Sequence, residues 1–129
     1  RIDYTNPPLE VAAKQVCELT NFAMDKVFFV SGGTEATEIA AKLARKFHID
    51  NGSASKYKII SRWMSYHGMT MGSLSWGGMP GRRGDYDPML CDNHHIAPAY
   101  CYRCWYDRAP DTCHLDLLVI PRSYSVIEM

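Results

Sequence analysis

Residues 28–45, FFVSGGTEATEIAAKLAR, change their hydrophobic period at a pair of glycines. Just before the pair, residues 27–30 (VFFV) are a short, continuous apolar run, the pattern of a strand covered on both faces. After it, Ala36, Ile39, Ala40, Leu43, Ala44 and Phe47 recur at helical spacing and make one unbroken apolar stripe. Glu38 and Lys42 stand outside that stripe as an i,i+4 pair. Glu35 and Glu38 come early in this helix and Lys42, Arg45 and Lys46 come late, as the helix dipole favours. A strand, a glycine turn and a helix in immediate succession point to an α/β architecture.

Residues 51–55 (NGSAS) are a loop by composition, and residues 57–61 (YKIIS) read as a second buried strand. Strand, helix and strand in this order predict a right-handed parallel crossover. Upstream, Pro7-Pro8 lead into Leu9, Ala12, Ala13, Val16 and Leu19, an amphipathic helix over residues 9–19. Downstream, residues 69–76 allow a short helix. Residues 77–88 hold four glycines and two prolines and read as a long loop.

The chain has 129 residues, about one domain, with 14 lysines and arginines balancing 14 aspartates and glutamates. Zero net charge gives no general attraction to nucleic acid or to an anionic membrane, and Arg82-Arg83 read as a solvated pair. No apolar stretch reaches the roughly 18 residues needed to cross a bilayer, and Arg1-Ile2-Asp3-Tyr4 does not resemble a signal peptide. With no initiator methionine, the chain is expected to begin inside a longer protein. Five cysteines, an odd number, fit a reducing cytoplasm better than a disulfide scaffold.

The candidate chemistry lies at the ends of the two expected strands. Gly32-Gly33 lets the backbone approach a ligand, Thr34 is a good N-cap residue, and the first-turn N–H groups of the helix form a ready phosphate site. An ordinary tight turn accounts for the same residues, and the spacing fits neither GxGxxG nor a Walker loop. Tyr66-His67-Gly68 follows the second strand and is expected at the same sheet edge, where the tyrosine face can lie on an aromatic ligand.

The runs VSGGTEATEIAAKLAR, KYKIISRWMSYHGMTMGSLS and YCYRC closely resemble the class III aminotransferases, pyridoxal-phosphate enzymes of fold type I, from about Asn6 to Cys113. The resemblance implies a truncated part of the cofactor-binding large domain, with a parallel-type sheet and flanking helices. It implies that Gly33 and Thr34 hold the cofactor phosphate and that Tyr66 stacks on the pyridine ring with His67 adjoining. It also implies amine or amino-acid and keto-acid substrates, and a homodimer at full length.

Three departures narrow what the resemblance carries. Many members acting on ω-amino acids have an arginine after His-Gly that grips a substrate carboxylate, and here that position is Met69. The family's Schiff-base lysine, and the aspartate that pairs with the pyridine nitrogen, lie further along than any residue here. None of Lys14, Lys26, Lys42, Lys46, Lys56 or Lys58 matches that lysine, so no catalytic residue is assigned and this chain alone is expected not to transaminate. Residues 114–129 (HLDLLVIPRSYSVIEM) lack the family's helical pattern, and Pro121 would interrupt one, so they are read as a separate tail. A different reading is a small, non-enzymatic binding module held by zinc, with Cys101-x-x-Cys104, Cys113-His114 and His94-His95 as ligands.

Overall fold

Asn6 starts the first helix. Its side-chain oxygen accepts the Leu9 N–H at 3.0 Å, and Pro7 and Pro8 open the first turn, where a missing N–H costs nothing. The helix, α1, runs Pro7–Leu19 and so takes in both prolines. At its far end the Thr20 N–H and hydroxyl both donate to the Cys17 carbonyl, at 3.1 and 2.8 Å.

The computed structural model describes residues 5–21, 23–111, 113 and 126–127. They fall into two compact units, one ending at Ser31 and one beginning at Gly32. The first contains α1 and a stretch without regular secondary structure, 24–30, whose Val27, Phe28 and Phe29 line a shallow groove with Leu9 and Ala13 of α1. The strand expected at 27–30 is not formed, and Phe28 and Phe29 are about half exposed. Its expected parallel neighbour has both edges occupied by other strands.

That neighbour is β1, Lys58–Arg62, in the second unit. It lies between β2, His94–Ile96, and β3, Val126–Ile127, and both pairings are parallel. The register sets Ile60 opposite His94 and Ile59 opposite Ile127. The chain is therefore α/β with a small parallel sheet, although the sheet is built from different partners than the glycine turn suggested. The tail expectation lies mostly outside the described residues, but 126–127 join this sheet.

The long helix α2, Gly33–Asp50, delivers the chain to β1. Arg45 donates to the Ala54 and Lys56 carbonyls, at 2.8 and 2.9 Å, folding the intervening loop back onto the helix. After β1 come α3, Met71–Trp76, and α4, Pro80–Arg83, followed by a 3₁₀ turn at Gly84–Met89. The long loop expected at 77–88 is thus largely helical. Pro80 suits the first position of α4, and the Met79 carbonyl accepts from both Arg82 and Arg83 N–H groups.

Among the described residues the buried apolar side chains are Cys17 and Ala41, and no helix is long and apolar enough to cross a membrane. Among the described residues the largest fully buried side chains are serines, Ser73 and Ser75 of α3.

Candidate functional site: the start of α2 and the loop after β1

Gly32, in extended conformation, is the residue that caps α2. Its carbonyl accepts the Ala36 N–H at 3.1 Å, so the helix has already begun when the chain reaches Thr34. Thr34 is therefore not the N-cap, and its hydroxyl is released from that duty. Gly33, Thr34 and Glu35 precede the first intrahelical donor, leaving their N–H groups at the positive end of the helix dipole. Gly33 is exposed, and a Cβ placed on it would meet nothing within 4 Å.

The chain leaves β1 through a turn in which Met64 takes a left-handed φ of 66° and the Ser65 hydroxyl donates to the Arg62 carbonyl. This turn presents Tyr66, His67 and Gly68. Gly68 is buried with φ 134°, a region that favours glycine. A Cβ there would lie 2.8 Å from Thr34 Oγ1 and 2.6 Å from Ser73 Oγ. The two sequence motifs thus meet directly, with Thr34 packed on Gly68. The sequence-predicted residues Gly33, Thr34, Tyr66 and His67 belong to one end of the same compact unit.

Tyr66 is 55% exposed, and its ring carries the Arg82 guanidinium at 4.7 Å from the centroid. His67 is half-buried, and its imidazole is held below the usual histidine range by that desolvation and, secondarily, by repulsion from His95. A neutral ring is thus favoured beside Tyr66. A helix start open at Gly33, with the Glu35 carboxylate folded back to 3.1 Å from where a Gly32 Cβ would stand, lies next to an exposed aromatic ring, a setting that suits a phosphorylated, flat-ringed ligand such as pyridoxal phosphate.

Sequence reasoning missed the network that holds this end together. Glu38 does not pair with Lys42 as the spacing suggested. Its carboxylate accepts the Ser73 N–H at 3.0 Å and the Thr70 hydroxyl, closing the start of α3. Gly72 makes room for it, since a Cβ there would stand 2.6 Å from Glu38 Oε1. At the other end Arg83, 13% exposed in its side chain, is not a solvated arginine. It donates to the Leu74, Ser75 and Gly77 carbonyls at 3.2, 2.8 and 2.8 Å and pairs with Asp87 at 3.1 Å. The Thr70-x-x-Ser73 and Arg83/Asp87 spacings were the available signals, one for a helix cap and one for an i,i+4 pair.

The profile of the family described as Aminotransferase class-III matches residues 2–117. The chain belongs to that family. It is 38% identical over 107 residues to the adenosylmethionine-8-amino-7-oxononanoate aminotransferase of Methanocaldococcus jannaschii, covering 83% of this chain and 23% of that protein. It is 46% identical over 77 residues to an uncharacterized aminotransferase of Bacillus subtilis, covering 60% of this chain and 17% of the relative. Among solved structures, an amine transaminase from an uncultivated Pseudomonas species, in its PLP-bound form, superposes with a TM-score of 0.74 at 28% identity. That superposition covers 81% of this chain and 24% of the transaminase. The M. jannaschii enzyme's own structure gives a TM-score of 0.71 at 34% identity, covering 77% of this chain and 23% of that one. The chain spans less than a quarter of the length of the curated relatives named here.

The residues of the zinc reading are placed differently from a metal site. His95 stacks on Trp63, with centroids 4.3 Å apart, and its ring nitrogens face the Asn93, Trp76 and Gly77 carbonyls at 3.1 to 3.2 Å. Among the described residues no three His, Cys, Asp or Glu side chains gather closely enough to hold a metal ion. Cys101, Cys104 and Cys113 are free thiols, and His114 lies outside the described residues.

Proposed function

We propose that this chain is the phosphate- and ring-holding part of a pyridoxal-phosphate-dependent transaminase. The full-length enzyme would move an amino group from an amine or amino acid to a keto acid. The packing of Thr34 on Gly68 carries this reading, because it brings the open start of α2 beside the loop that bears Tyr66. Pyridoxal phosphate, when bound, supplies the electron sink for such chemistry. The residues of this chain bind and orient. Gly33 and Thr34 offer N–H groups to the phosphate, Tyr66 sets the plane of the pyridine ring, and neutral His67 adjoins it.

The same reading takes residues 1–113 as part of a fold-type-I large domain and 114–129 as a tail outside the family pattern. It takes the full-length enzyme as a cytoplasmic homodimer. The acid–base lysine would come from elsewhere in the full-length protein, so the chain alone is expected to give no turnover above free cofactor with an amine donor and a keto acid.

Binding tests the site without turnover. Calorimetric titration with pyridoxamine 5′-phosphate, which needs no lysine, is expected to show a complex that inorganic phosphate competes away. Gly33→Glu fits sterically and puts a like charge beside the phosphate, so it should weaken binding about tenfold or more. Tyr66→Ala should weaken pyridoxamine phosphate and leave inorganic phosphate unchanged. Absence of binding, or indifference to Gly33→Glu, would overturn the proposal.

A further inference from the structure

Two adjacent arginines at the end of α4 are used in different ways. Arg83 turns inward to the carbonyls that end α3. Arg82 is exposed, and among the described residues the Tyr66 ring is its side chain's one partner. The backbone brings them together. The Met64 N–H donates to the Gly78 carbonyl at 2.8 Å, and the Gly78 N–H donates to the Ser65 carbonyl at 2.9 Å. This contact requires glycine, because a Cβ at position 78 would stand 2.2 Å from the Arg62 carbonyl oxygen and 2.5 Å from Trp63 Cα. Gly78 thus locks the start of α4 against the loop that bears Tyr66, and two residues into α4 the chain reaches Arg82.

We propose that Arg82 is a positioning residue for Tyr66, an inference that rests on the cofactor reading above. Tyr66 is more than half exposed, and an exposed aromatic side chain loses rotamer freedom when a flat ligand stacks on it. A guanidinium over one face fixes the plane of the ring before the ligand arrives, and the ring's remaining exposed surface is what a ligand can meet. A cation–π contact at an exposed site corresponds to about a two- to fivefold effect on affinity.

A double-mutant cycle on the whole chain tests this, with pyridoxamine 5′-phosphate and inorganic phosphate as separate probes. Arg82→Gln is expected to weaken pyridoxamine phosphate about two- to fivefold and to leave inorganic phosphate unchanged. Arg82→Lys should recover part of the loss, and in a Tyr66→Leu background Arg82→Gln should change nothing further. Parallel loss of both probes would make Arg82 a simple charge and overturn the inference. So would a loss that persists without Tyr66, and so would tighter binding, which would place the guanidinium on the ligand's own face. Unchanged affinity in Arg82→Gln sinks this inference alone, whereas a wild-type chain that binds no pyridoxamine phosphate sinks it together with the cofactor reading.

Discussion

The short helix α3 and the apolar stripe of α2 belong to the same compact unit and are stabilised by opposite means. A six-residue helix is far below the length at which helices persist alone, yet Ser73 and Ser75 of α3 have no exposed surface. Its ends are closed by charged side chains from other elements, Glu38 at the start and Arg83 at the finish. By contrast α2 has 18 residues and the clearest apolar stripe in the sequence, but Leu43 and Phe47 on that stripe are 61% and 62% exposed. Burying such side chains is worth about 1.5–3 kcal/mol each, and this chain does not collect it. The tightest part of the unit is therefore specified by directional polar bonds, while Leu43 and Phe47 on the hydrophobic stripe stay exposed and Ile39 and Ala44 are half-buried.

Removing the finish of α3 should break that comparison most clearly. Arg83→Met keeps most of the side chain's volume but leaves the Leu74 and Ser75 carbonyls and Asp87 without their Arg83 donor, and the Gly77 carbonyl with only the His95 ring facing it. Hydrogen bonds to charged groups are worth about 1.5–3 kcal/mol, so unfolding of this unit should become easier by about 2–3 kcal/mol. Hydrogen exchange at the α3 amides reads this locally. Unchanged protection there would mean that packing, and not the polar caps, holds the helix.

The reverse change belongs on α2. Leu43→Ser with Phe47→Ser should alter stability by no more than about 0.5 kcal/mol each, as for other exposed positions, and should reduce self-association in sedimentation. A cost above about 2 kcal/mol would show that the stripe is covered in solution and that the two regions are less different than they look.

This contrast also separates what the sequence made legible from what it did not. The α2 helix and β1 follow from local apolar period, and the glycine turn and the Tyr66-His67-Gly68 loop follow from residue type and order. The expected strand at 27–30 failed because a strand is defined by its neighbours, and its apolar run carries no information about which edge is free. Thr34 has the residue type of a cap but does not cap α2, since Gly32 reaches the extended conformation and accepts the first helical bond without needing a side-chain oxygen. The Glu38 and His95 bonds join residues far apart in sequence through single atoms, and the Arg83 bonds run back six to nine residues to backbone carbonyls, so the apolar period signals none of them. Charge counting made Arg82 and Arg83 equivalent, whereas one touches an aromatic ring and the other three carbonyls.

The smallest expected effect concerns pH, and it probes the site next to the polar caps. His67 has its folded-state pKa lowered from 6.5, by burial first and by His95 second. The unfolded chain therefore binds the proton more readily, and folding stability rises with pH wherever that is so. The His67 contribution is complete above the unfolded pKa near 6.5 and is lost as pH falls through that value towards the lower folded one. Thermal melts should show the wild-type chain less stable at pH 5.5 than at pH 7.5, by less than the effect of Arg83→Met. His67→Asn should remove part of that difference. An imidazole NMR titration of His67 with its midpoint at or above 6.5 would contradict a desolvated ring and would put a charged histidine beside Tyr66.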